Sequence, residues 1–253
     1  MGEALFWGLA ASSSLLVGGA VALVHRVPAR VLGLVLAFGA GVLISAVAFE
    51  LVEEGISKTG DLRATALGLF AGSLGFYLGD AVIARWGGRH HRRRGDRRPG
   101  MLPGEPARAG PGLAILLGII LDGVPESIVI GLTVLEGNGV GAAFVVAVFL
   151  SNVPESFAAT SQLRPAGWSR AAVLALWTLV MAASGLAAVA GYGLFVGASP
   201  STVAAVLGFG GGAILAMLAD SMMPQAFESG GRLAGLVTTL GFATAVAVDA
   251  WQQ

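Results

Sequence analysis

A chain that repeats a mostly apolar run of about twenty residues eight times has few folds open to it. The first run reads ALFWGLAASSSLLVGGAVALV, and others follow near 31–52, 64–84, 111–134, 139–162, 171–193, 202–224 and 233–251. Each approaches the roughly 20 residues that a helix needs to cross the hydrocarbon core. With 55% hydrophobic and 12% charged residues, the chain cannot cover itself with a polar surface, so lipid is the expected solvent. The expectation is an all-α membrane protein, one transmembrane domain over 1–253 with eight spanning helices, the first near 4–24. Only Glu3 is charged before the first run, which is expected to stay as a spanning helix rather than leave as a signal. The one long connection, 85–110, is rich in Arg, Gly and Pro and has no periodicity, so it is expected to be a loop.

The basic residues give an orientation. If 85–110 is cytoplasmic, Arg26, Arg30, Arg164, Arg170 and Arg232 fall on the same side. Of 15 Lys and Arg, only Lys58 and Arg63 are then outside, and both termini are expected outside in a cell membrane. Two repeats accompany this layout. FGAGVLISAVA, from Phe38, resembles FGGGAILAMLA, from Phe209, and LAAS at Leu9 to Ser12 resembles MAAS at Met181 to Ser184. The nearly equal offsets relate runs one to three with runs six to eight. The orientation makes these units inverted, a 3+2+3 arrangement of the kind transporters use around a midplane site.

Runs four and five hold the chemistry. LDGVPESIVIGL, from Leu121, has a near-copy in LSNVPESFAATSQL, from Leu150. Asp122 and Glu126 are four apart and share a helix face; so do Ser151 and Glu155, with Asn152 one step round. Pro125 and Pro154 lack the backbone N–H, leaving the carbonyls of Leu121 and Leu150 without their usual donors. Every Arg, Lys and His of the chain lies in a connection or at a helix end. No fixed cation is therefore expected at the midplane. Inserting three charged acids there costs roughly 8–10 kcal/mol, at about 3 kcal/mol each. They must be protonated or hold a mobile cation. Carboxylate, hydroxyl and amide oxygens, with no cysteine in the chain, suit a divalent metal.

Paired Pro-Glu motifs on runs four and five of an eight-run chain resemble those of the ZIP (ZRT/IRT-like) metal transporters. The resemblance takes in the run count, the basic connection after run three, the outside termini and the repeat. It implies that Asp122 and Ser151 stand where the family's usual histidines would, and that Glu126 and Glu155 stand at its glutamates. Asn152 takes the neighbouring position, whereas Gly123 replaces an asparagine and offers no side chain. The implied metal set is Asp122, Glu126, Ser151, Asn152 and Glu155. Run six has no acid where some family members add a ligand, so one bound ion is expected. Zinc is favoured by the resemblance; without histidine, the oxygen donors favour manganese, magnesium or calcium, and iron and cadmium stay open. The resemblance also implies an elevator-like motion and a homodimer. The expected partners are metal ions and lipid, with no nucleic acid and no prosthetic group.

Glu50 is expected to draw cations into the outer mouth and Asp220 to pass them inward. A proton- or sodium-coupled carrier of another solute is the alternative. An aspartyl enzyme using Asp80 and Asp220 is weaker, because Tyr77 stands where the G-x-G-D pattern needs glycine. GFGGGA, from Gly208, lacks the Lys-Ser/Thr of a phosphate loop and is expected to serve close helix packing. His90 and His91, among many arginines, are expected to be ordinary loop residues.

Overall fold

The computed structural model describes residues 1–25, 27–87, 111–135 and 142–250, with the backbone alone at 54, 58–59, 84–87, 111–119, 121–122, 142–143, 162 and 249. The basic connection expected at 85–110 lies, from residue 88 onward, outside the described residues, as do His90, His91 and Arg26.

All regular structure among the described residues is helical. The chain opens with α1 (Gly2–Val24). Next comes α2 (Ala29–Ala46), which passes through a π-helical stretch, Val47–Glu53, into α3 (Glu54–Thr59). Then follow α4 (Leu62–Gly87), α5 (Pro111–Leu135), α6 (Ala142–Leu163) and α7 (Arg170–Leu194). α8 (Pro200–Met217) runs through a second π-helical stretch, Leu218–Met222, into α9 (Met223–Gly230), and α10 (Leu233–Ala250) closes the fold.

Local chemistry sets these ends. Ser169 and Ser199 each accept a hydrogen bond from a backbone N–H three residues on, Ala172 at 3.1 Å and Thr202 at 3.2 Å. Asp61 does the same for Ala64 at 3.0 Å. Gly60, at φ 66°, ends α3 in a left-handed conformation that other residues resist.

Among the described residues six helices are long and apolar enough to cross a membrane: Gly2–Val24, Ala29–Ser57, Leu62–Ile83, Phe144–Ser161, Arg170–Leu194 and Pro200–Gly230. Gly123–Leu135 and Leu233–Val248 are apolar but shorter. Large side chains such as Phe70 and Leu67, 74% and 71% exposed, face outward on α4, as a lipid-facing surface requires. The protein is an all-helical, multi-pass membrane protein.

Small residues decide how the helices meet. α4 packs along α8, α2 along α10, α5 along α7, and α1 against both α6 and α7. Gly68 and Gly72 lie against Ala205 and Phe209, and Gly208 and Gly212 lie against Thr65 and Leu69. Residue numbers rise together across the contact, so α4 and α8 are parallel. Gly33 meets Gly230, which ends α9 just before α10 begins, and further along α2 Gly41 meets Thr238 of α10, so α2 and α10 run the same way as well. α1 and α7 run oppositely, since Gly8 meets Gly185 while Gly19 meets Trp177. A Cβ at Gly72, Gly212, Gly41 or Gly131 would stand 1.9 Å from a neighbouring carbonyl oxygen, so backbone touches backbone there. The glycines of GFGGGA do serve close packing.

Candidate functional site

The two Pro-Glu-Ser sequences lie on α5 and α6, and each helix continues through its proline, Pro125 or Pro154. The serine that follows each glutamate returns its hydroxyl proton to its own helix. Ser127 donates to the Gly123 carbonyl at 2.7 Å and Ser156 to the Asn152 carbonyl at 2.8 Å. The motifs are thus repeats in local structure as well as in sequence.

Four helices converge on a cavity of about 10 Å³, on the order of one water molecule or one bare cation. Its polar lining is Glu126 and Ser127 from α5, Asn152 and Glu155 from α6, Ser12 from α1 and Ser184 from α7. Apolar residues including Ala11, Leu15, Ile130 and Val148 close the remainder. Glu126 is 3% exposed, and Ser12, Asn152 and Ser184 are also buried. Among the described lining residues there is no Lys, Arg or His, and two carboxylates face one small space. Two anions in such a space repel each other and lose hydration, which favours either a shared proton or an inserted cation.

The cavity brings together three of the five expected ligands: Glu126, Asn152 and Glu155. The side chain of Asp122 lies outside the described residues, and its backbone is one turn before Glu126 on α5. Ser151 is buried but not among the lining residues. Its hydroxyl donates to the Val148 carbonyl at 3.0 Å, and its Cα faces Gly39 of α2. Among the described residues no group of three or more His, Asp or Glu side chains gathers in one place.

Glu50 and Asp220 both fall in π-helical stretches, which begin at Val47 and Leu218 (218 − 47 = 171), the offset of the longer sequence repeat. Glu50 is half-buried and Asp220 exposed. Neither lines the cavity, nor does Asp80.

Sequence reasoning missed Ser12, Ser127 and Ser184 as lining residues. A signal for two of them was present: Ser12 and Ser184 each close a copy of the short repeat, LAAS and MAAS. The repeat pointed to symmetry, and only the packing of α1 and α7 against α5 and α6 brings both serines to the lining of the cavity.

Compared with protein-family models and with curated proteins, the chain matches none. Fold and site together define a multi-pass helical membrane protein with a buried, carboxylate-lined cavity between four helices.

Proposed function

We propose that this protein carries divalent metal ions across a membrane, into the cytoplasm, by alternating access. The observation that carries the reading is the convergence of Glu126 and Glu155 on one small, ion-sized cavity without a cationic side chain among its described lining residues. A divalent cation cancels both charges and replaces its lost water with oxygen ligands, which is the chemistry such a lining offers. Glu126, Asn152 and Glu155 would bind it, with Asp122 one turn away on α5 and Ser151 flanking from α6. Protonation of the carboxylates would weaken their hold and aid release.

The packing supports an inverted-repeat arrangement. Exchanging α1–α2–α4 with α7–α8–α10, and α5 with α6, maps the α4–α8 pair onto α10–α2 and the α1–α6 pair onto α7–α5. All of these are principal contacts, and the two π-helical stretches exchange as well. This pattern, with the Pro-Glu pair, is why we favour a transporter resembling the ZIP family over an enzyme. Glu50 and Asp220, in equivalent stretches, would serve the two approaches to the site. Manganese or zinc is the favoured ion.

The test is metal-dependent thermal stabilisation of the purified protein, followed by radiometal uptake into proteoliposomes. Manganese or zinc should raise the melting temperature, and Glu126→Gln or Glu155→Gln should remove that rise and reduce uptake at least tenfold. Stabilisation by sodium or by low pH alone would instead favour a proton- or sodium-coupled carrier of another solute. A rise that survives both substitutions would end the metal reading.

A further inference from the structure

The two helices that carry no acid at the cavity still present oxygen to it. Ser12 on α1 is 3% exposed and Ser184 on α7 is 6% exposed, and both line the space that Glu126 and Glu155 face. The Ser12 hydroxyl donates to the Gly8 carbonyl at 2.5 Å. With its proton turned into its own helix, its lone pairs are left for another partner. The Met181 carbonyl of α7 is 3.4 Å from the same hydroxyl, so the serine sits at the seam where α1 and α7 cross. Ser184 aims across the cavity toward α5. Its Oγ lies 3.8 Å from the point a Cβ on Gly123 would occupy, so the missing side chain at 123 leaves room that this hydroxyl faces. Ser127 adds a third hydroxyl, its own proton already donated to Gly123.

We propose that Ser12 and Ser184 are direct ligands of the transported ion and set its selectivity. They complete an all-oxygen shell that suits manganese or magnesium better than the softer cadmium. The proposal rests on the metal-transport reading and extends it. α5 and α6 supply the charge that attracts a divalent ion, and α1 and α7 supply neutral oxygens that choose among such ions. Hard cations take carboxylate, hydroxyl and carbonyl oxygen, whereas soft ones gain most from sulfur. Replacing either hydroxyl by a thiol should therefore reverse the preference with little change in shape. The α1 and α7 ligands come from repeat-related positions, so each should act alone.

The chain contains no cysteine, so an introduced thiol can be read without background. Full-length protein carrying Ser12→Cys or Ser184→Cys is titrated with cadmium and with manganese. The readouts are the ultraviolet cadmium–thiolate charge-transfer band and the metal-dependent rise in melting temperature. Ser14→Cys is the control, because Ser14 is equally buried on α1 but bonds to the Ala11 carbonyl and does not line the cavity. Both test variants should show the band at one cadmium per chain and at least a tenfold shift in preference toward cadmium, and Ser14→Cys should show neither. Ser12→Ala and Ser184→Ala should bind manganese several-fold more weakly, with the metal-free melting temperature unchanged. Thiol variants that behave like Ser14→Cys, or alanine variants that bind manganese as the unaltered protein does, overturn the proposal. If Glu126→Gln still abolishes manganese binding in that event, only the serine assignment fails. If Glu126→Gln and Glu155→Gln both leave manganese binding intact, the metal reading fails first.

Discussion

Asp61 shows how much a single half-buried carboxylate can organise. It accepts from the Ala64 backbone N–H at 3.0 Å, which caps α4, and from the Ser201 hydroxyl at 2.7 Å, which links α4 to the start of α8. These two hydrogen bonds, in that order, hold its carboxyl below the ordinary value of 3.8. A folded value below the unfolded one means that the stabilisation is complete above the ordinary value and fades as pH falls through the folded one. Asp61→Asn should therefore lower the melting temperature slightly near neutrality. Scanning calorimetry at falling pH should show that difference from the unaltered protein closing in acid, with no such closure for a substitution at a non-titrating site. Trp177 makes a different kind of single-residue link. Its indole N–H donates to Thr160 Oγ1 at 2.9 Å in the interior, tying α7 to α6. Trp177→Phe should cost about 1 kcal/mol in a detergent unfolding titration, the usual scale of interhelical hydrogen bonds in membranes.

For pairs of helices, glycine contacts matter more than side-chain hydrogen bonds. In lipid, apolar side chains gain little by exchanging acyl chains for one another, so association depends on close fit. The α4–α8 seam has that fit at Gly68, Gly72, Gly208 and Gly212, and the Ser73 hydroxyl reaches the Gly212 carbonyl at 2.9 Å along it. Gly72→Ala or Gly212→Ala would push a methyl into a carbonyl oxygen and should cost about 1–3 kcal/mol or more by the same unfolding titration. Gly235→Ala, whose added methyl would meet Phe227 at an ordinary 4.0 Å, should be nearly neutral. Equal losses at Gly72 and Gly235 would show that helix propensity, not close approach, sets the glycine requirement. These seams are also what aims the site, because a helix forced outward turns its hydroxyl or carboxylate away from the cavity.

The proposed orientation of the whole molecule can be tested with the same cysteine-free background. Val196, after α7, is exposed on the side proposed as external, and Ala166, after α6, is exposed on the side proposed as cytoplasmic. A membrane-impermeant maleimide should label Val196→Cys in intact cells and Ala166→Cys only after permeabilisation; the reverse pattern would rule out the assigned sidedness. Much of the molecule was legible in one dimension. Apolar length locates the helices, because lipid leaves backbone polar groups no other partner. Proline, carboxylate and serine within runs four and five mark where a polar site must be. The extension of α2 and α8 through π turns into α3 and α9 was not legible, since a widened turn depends on neighbouring contacts rather than on local apolar period. Nor could the sequence say that Ser151 packs beside α2, outside the cavity, while Ser12 and Ser184 line it together with Glu126 and Glu155. By itself, then, the sequence determined that acids lie within membrane helices and that no basic residue accompanies them there. Tertiary structure alone decided which oxygens share a cavity, because the rotation of one helix against another is set by contacts between residues far apart in the chain.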